Sequence, residues 1–179
     1  MDIFSKKLLG RILPVTWNQP LIYSNGSYGN DELAVYRTTE EGGSFRGGDA
    51  WAAFASTSGY NGNWTGCYRD ERVCYFNLFI ATKKPICVTG FSCYYPSTDS
   101  ASSWGSIAEG WFYGSNDNAN WNLLMYHGGY GANTANYQTF GNSNYYKYHR
   151  YRIRSNGSGH KDLIQVSSVR LTAVYEDYV

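Results

Sequence analysis

The segment Trp111-Phe-Tyr-Gly-Ser-Asn-Asp-Asn-Ala-Asn-Trp121 constrains this chain more than any other. An aromatic run suited to a pleated surface meets a Gly-Ser-Asn-Asp turn, and Trp121 restarts the chain as a second strand. Downstream, Tyr148-His-Arg-Tyr-Arg-Ile-Arg154 alternates. Tyr151 and Ile153 fall on one face, Arg150, Arg152 and Arg154 on the other. This is the pattern of a half-buried strand with a cationic outer face.

Further strand candidates lie at 33–38, 50–54, 73–80, 86–95, 107–113, 121–126, 146–154 and 166–174. In 86–95 both parities carry apolar residues, which predicts a central strand. The last strand changes phase: Ile164 and Val166 keep one parity, Val169, Leu171 and Ala173 the other. A β-bulge near Ser167-Ser168 accounts for the change. Eight strands with antiparallel hairpin signals predict an all-β fold, an antiparallel β-sandwich or jelly roll. At 179 residues the chain fits one domain, and about 70% of its unfolded surface can be buried. The abundance of Tyr (18) and Gly (20) suits strands and turns.

The order of these elements resembles the discoidin family, the coagulation factor 5/8 type C or galactose-binding-like domains. There an aromatic strand leads into Gly-Ser-Asn-Asp-Gly-x-x-Trp and then a Tyr/Arg-rich strand. Asn118 stands where the family has Gly, and Asn also tolerates positive φ. Val73-Cys-Tyr-Phe-Asn-Leu-Phe-Ile80, Lys83-Lys84-Pro85 and Ile86-Cys-Val-Thr-Gly-Phe91 are similar to the family's hairpin of strand, Pro and Ile-Thr-Gly. Ala50-Trp-Ala-Ala-Phe54 is similar to its Ala-x-x-Ala-Phe, and Ile164–Leu171 to its final strand. The resemblance spans roughly Asp31 to Tyr175. It implies a sandwich that binds ligands and does little catalysis, with ligand-facing loops at one end. The family's calcium loop continues with Asp-Gly, whereas here Ala55-Ser56 follow Phe54, so no cofactor is assigned.

Residues 1–30 are expected to form an N-terminal arm, and 31–179 the sandwich. Phe4, Leu8 and Ile12, with Leu9 and Leu13, lie at helical spacing, while Lys6, Lys7 and Arg11 are polar. This predicts a short amphipathic helix ending before Pro14. Such a helix is marginal alone. It packs on its own domain, docks on a partner protein through residues 1–16, or lies on a membrane surface. Lys6, Lys7 and Arg11 interrupt any signal-peptide core. No apolar run reaches the roughly 20 residues of a membrane span. A net charge of +1 gives no field to recruit nucleic acid.

Cys67, Cys74, Cys87 and Cys93 do not have zinc-site spacing. They read as small buried residues in a reduced protein, with a Cys67–Cys74 bridge across a short loop as the alternative. His127, His149 and His160 are scattered, the pairs Glu40-Glu41 and Asp70-Glu71 point to opposite strand faces, and no nucleophile elbow or P-loop is present. An enzyme is not predicted. The Gly114-Ser115-Asn116-Asp117 run reads as turn chemistry.

Sugars offer C–H faces to aromatic rings and hydroxyls to polar side chains. Three segments have that composition: 56–72, 96–106 and 127–140. Within them Tyr60, Arg69, Asp99, Trp104, His127 and Tyr130 are the candidate glycan-binding residues. Trp104 is the expected exposed platform; Trp64, Trp111 and Trp121 are expected in the core. The arginine stripe of 150, 152 and 154 reads as a solvated sheet face or as a phosphate or sulfate reader. The functional expectation is a non-catalytic module binding cell-surface or polymeric glycans. Weak contacts would add up by multivalency on a bacteriophage virion, as a tail or head-fibre protein in a multimeric assembly. The alternatives are a structural decoration protein with only protein neighbours, a carbohydrate-binding accessory of a glycosidase, and an extracellular or cell-surface location.

Overall fold

A computed structural model describes residues 12–14, 21–22, 28–29, 33–40, 43–54, 65–70, 73–96, 107–130, 134–155 and 161–175. All regular structure there is antiparallel β-sheet apart from a 3₁₀ turn at Ala50–Phe54. The strands are β1 (Ile12–Pro14), β2 (Leu21–Ile22), β3 (Tyr28–Gly29), β4 (Leu33–Glu40), β5 (Ser44–Gly47), β6 (Thr65–Asp70), β7 (Tyr75–Tyr95), β8 (Ile107–Ser115), β9 (Asn122–His127), β10 (Thr134–Thr139), β11 (Tyr146–Ser155) and β12 (Lys161–Tyr175).

The long strand β7 organises the fold. Its first half pairs with β4 (Val35↔Ile80) and β11 (Tyr151↔Leu78). Its second half pairs with β10 (Gln138↔Phe91) and β12 (Leu171↔Phe91). One layer therefore runs β2-β3-β4-β7-β11-β8-β9. The other holds β10, the second half of β7, β12, β6 and β5, with β1 on β12. Phe91 of the second layer packs on Phe112 and Tyr151 of the first, at centroid distances of 5.1 and 4.4 Å. Those rings, with Leu78, Ile80, Ile153, Ile164 and Val166, form the buried core between the layers.

Several expectations change. The hairpin expected across Lys83-Lys84-Pro85 is one continuous strand. The β11 partner shifts register there, from Ile86 opposite Tyr146 to Ala81 opposite Tyr148. Pro85, which has no N–H to donate, thus sits in an irregular stretch of the ladder. Residues 50–54, expected as a strand, form the 3₁₀ turn: Ala52 N–H donates to Asp49 O at 2.9 Å. Ile12–Pro14, placed at the end of an amphipathic helix, instead pairs with Thr172–Val174. Residues 1–11 lie outside the described residues. Segments 65–70 and 134–139, read as loop, are strands β6 and β10.

Cys67 and Cys74 are not reduced: they form a disulfide joining β6 to the lead-in of β7. Their Cα atoms lie 6.8 Å apart. Cys87 and Cys93 are free and buried. The expected bulge is present, with Ser168 at φ 51° and a register shift between Ser167 and Arg170. It falls where β12 changes partner from β6 to β7.

Trp111 and Trp121 are not core residues. Both lie half-buried on the outer face of the first layer: Trp111 because the inward position beside it belongs to Phe112, and Trp121 against Phe79 and Arg150. The arginine stripe shares that face, yet its side chains are half-buried. Arg152 lies 4.3 Å over Tyr75 and pairs with Glu40 at 2.6 Å; Arg154 pairs with Glu109 at 2.7 Å. Ring faces and carboxylates take these cations out of bulk water, so the stripe is not simply a solvated face.

Candidate functional site

Three chain connections have their anchor residues at one end of the sandwich. Segment 97–106 leaves after Tyr95 and Pro96 and returns at Ile107. Segment 131–133 leaves after Tyr130 and returns at Thr134. Ile107 and Tyr130 exchange backbone hydrogen bonds at 2.9 and 2.8 Å, and Thr134 pairs with Tyr95. Segment 55–64 returns at Thr65, which pairs with Val166, the neighbour of Ser167 opposite Tyr94. Strand pairing thus gathers all three sets of anchors around Tyr94 and Tyr95. Tyr60, Asp99, Trp104 and Trp64 fall on these segments, outside the described residues, as does Ala55-Ser56.

Beneath the anchors lies a network of polar side chains. The Nδ1 of His127 lies 2.7 Å from the Gly128 carbonyl, which can only accept, so Nδ1 carries the proton. Nε2 then accepts from the Tyr151 hydroxyl at 2.7 Å. Tyr151 Oη in turn meets Tyr95 Oη in a hydrogen bond. Asn136 Nδ2 donates to Tyr95 Oη at 3.2 Å. Gln138 Nε2 donates to Asn136 Oδ1 at 2.9 Å and to Tyr130 Oη at 2.6 Å. The chain of bonds therefore runs from the half-buried Tyr130 and Gln138 down to the fully buried Tyr151. Gly110 makes room for it: a Cβ there would collide with the His127 ring and stand 2.8 Å from Tyr151 Oη.

The buried groups His127, Tyr95 and Tyr151, and Cys93 beside them, are held neutral. Burial lowers the His127 pKa, opposed by its bond to Gly128. Burial pushes the Cys93 thiol up to about 12 and raises Tyr95 and Tyr151 well above the ordinary phenol value. A thiol that keeps its proton is no nucleophile. A histidine with both nitrogens engaged has none left to act as a general base. The arrangement suits a rigid, uncharged floor, not proton transfer. Among the described residues no group of three His, Cys, Asp or Glu could hold a metal ion.

Of the sequence candidates, the network joins His127 and Tyr130, whose rings are 5.0 Å apart. His127 is buried. Arg69 sits apart, half-buried on β6 opposite Asp162, with its guanidinium donating to Val73 O at 3.5 Å. Tyr95, Tyr151, Asn136 and Gln138 were not singled out as a set. The parity of 93, 95, 136, 138 and 151 on their strands was the available signal, but it does not say which strands face each other. The Ser115–Asn120 turn is as expected: Asp117 Oδ1 accepts from Ala119 N at 2.9 Å and Asn120 N at 2.7 Å, and Asn118 has φ 58°.

No family model and no curated protein sequence matches this chain. Solved structures do match. The family 32 carbohydrate-binding module of Streptococcus pneumoniae EndoD superposes with a TM-score of 0.56 at 12% identity, over 80% of this chain and 96% of that one. The family 32 module of Clostridium perfringens NanJ, solved with galactose, gives 0.55 at 16%, over 80% and 93%. A further C. perfringens module, solved with GalNAc-β-1,3-galactose, gives 0.54 at 12%, over 76% and 94%. The chain has the discoidin-like fold. Within this discoidin-like sandwich, the anchors and the polar network occupy one end, and the arginine–aromatic face one flank.

Proposed function

We propose that this discoidin-like chain is a non-catalytic glycan-binding module whose ligand sits on the segments rooted at Tyr94 and Tyr95. One observation carries the reading: three segments, which between them carry Tyr60, Trp64, Asp99, Trp104 and Asn133, have their anchors around one hydrogen-bonded floor. Such a floor fixes loop roots without competing for the ligand's hydroxyls, and the aromatic residues of the segments would supply stacking surfaces for sugar C–H faces. The structural likeness to carbohydrate-binding modules supports the class of ligand. Because two of those modules are solved with galactose or a galactoside, galactosides head the panel to test. A glycan array with wild type, Trp104→Ala and Tyr60→Ala tests the proposal. Binding to at least one glycan, weakened at least tenfold by either change, is expected. An array blank for wild type removes the proposal and leaves the protein-only assembly reading.

The finer assignment is to a bacteriophage particle, with residues 1–16 as the attachment. Pairing of Ile12–Pro14 with Thr172–Val174 supports an arm stitched to the sandwich at a fixed place. Deleting residues 2–11 is expected to abolish incorporation into particles and leave glycan binding intact. Unchanged incorporation sinks the attachment role, and neighbouring genes for glycosidases in place of capsid and tail proteins favour the accessory reading.

A further inference from the structure

The outer face of the first layer carries a second constellation, away from the loop anchors. Three described arginines lie on this face. Arg152 pairs with Glu40 at 2.6 Å and Arg154 with Glu109 at 2.7 Å. Arg150 differs. It forms no ion pair among the described residues, although its charge helps Arg152 hold down the Glu40 pKa; its guanidinium lies 4.6 Å over the Tyr113 ring and 5.0 Å over the Trp121 ring. Its Nε is buried without a hydrogen-bond partner, whereas its two Nη groups are not among the buried, unpartnered atoms. The rings hold a planar cationic fork in place.

Rings extend from this fork in both directions. Trp121 meets Phe79 edge-on at 5.8 Å, and Phe79 stacks on Tyr36 at 4.4 Å and 4°. On the other side Trp111 packs against Tyr126, which is 51% exposed. Arg150 is opposite Tyr113 and Tyr126 is opposite Trp111. Arg150 and Tyr126 are therefore two strands and two residues apart, about 12 Å, a span that a short oligosaccharide covers.

We propose that Arg150 and these rings form a second binding site, for a saccharide bearing a carboxylate. A guanidinium fork takes a carboxylate through two parallel hydrogen bonds, and the neighbouring rings take the C–H faces of the sugar. The face is poorly suited to a protein partner. Its large exposed apolar side chains, among the described residues, are Leu123 and Tyr126, whereas a stable protein interface buries about 800 Å² per partner. Two of its three described arginines are already paired with carboxylates, which leaves Arg150 to set ligand charge. The site is independent of the loop-borne one.

Calorimetric titration tests it with oligogalacturonate, oligomannuronate and sialyllactose, against methyl-esterified oligogalacturonate, dextran sulfate and poly-glutamate. Wild type is expected to bind at least one carboxylated glycan, more weakly as salt rises, with the ester at least tenfold weaker. Arg150→Gln is expected to lose at least tenfold while binding of any galactoside stays unchanged. Arg150→Lys, which keeps the charge without the fork, is expected to lose severalfold, and it carries the test if the Gln variant fails to fold by thermal unfolding. The proposal is overturned if no carboxylated glycan binds, if the ester binds equally, if both Arg150 variants bind like wild type, or if dextran sulfate or poly-glutamate outcompetes every carboxylated glycan.

Discussion

His149 should make this protein lose stability in mild acid. Its imidazole is fully buried on β11, stacked on Phe112 at 5.7 Å and edge-on to Tyr146 at 6.3 Å. Neither ring nitrogen has a hydrogen-bond partner. Burial alone holds its pKa down, from the ordinary 6.5 to about 4. The sign follows from linkage. Above pH 6.5 the ring is neutral whether the chain is folded or not, and the full stability is present. As pH falls from 6.5 towards 4, the unfolded chain takes up a proton that the folded one refuses, so stability is lost. At about 1.4 kcal/mol per pH unit, the gap between 6.5 and 4 amounts to about 3 kcal/mol by pH 4. Replacing His149 by Leu removes the titration. The variant loses a ring stack worth about 0.5–1.5 kcal/mol. It is also relieved of unpartnered polar atoms that cost about 1–3 kcal/mol, so near-equal stability at pH 7 is expected. Urea unfolding of both proteins at pH 7, 6, 5 and 4 is the assay. His127 shifts in the same direction but is present in both proteins and cancels. The wild type should fall relative to His149→Leu by about 3 kcal/mol between pH 7 and pH 4. Parallel pH profiles would refute the argument, since they mean the ring finds water or a partner in the folded state.

Three further outcomes are expected. Gly110→Ala drives a methyl group into His127 and Tyr151 and should destabilise by about 1–3 kcal/mol, read from the urea midpoint. Tyr151→Phe removes the closer donor to His127 Nε2 and leaves the Tyr95 hydroxyl at 3.4 Å; it should cost about 1–3 kcal/mol and shift the His127 ring resonances in NMR. Removing the Cys67–Cys74 bridge with a double Ala substitution opens a loop of sequence separation 7 and should cost about 2–3 kcal/mol, whereas Cys87 and Cys93 should resist thiol reagents until the chain unfolds.

Period-2 alternation made most of the long strands legible, because each buries one face: 149, 151 and 153 point inward while 150, 152 and 154 point out. The bulge at Ser167-Ser168 was legible for the same reason, since a phase change leaves a parity error in the sequence. What alternation could not supply was partnership. Lys83-Lys84-Pro85 looks like a turn locally, and only the four strands paired along β7 keep that stretch extended. Segments 65–70 and 134–139 are polar and edge-like, so their strand character depends on β12 and β7 beside them. Trp111 and Trp121 read as core from hydrophobicity alone, yet arginine side chains on the same face cover them just as well. The site was legible in part for a similar reason: composition pointed to His127 and Tyr130, but their buried partners Tyr95 and Tyr151 come from strands distant in sequence.

A single strand serving both layers has a mechanical consequence. Neither layer can hinge or slide against its neighbour without melting β7, so the ligand capture proposed for one rim and one flank would have to proceed without domain-scale motion. It also means that neither half of the polypeptide is an autonomous folding unit. Cutting the chain within Lys83-Lys84-Pro85 should yield two fragments that are unstructured apart and regain order only when mixed.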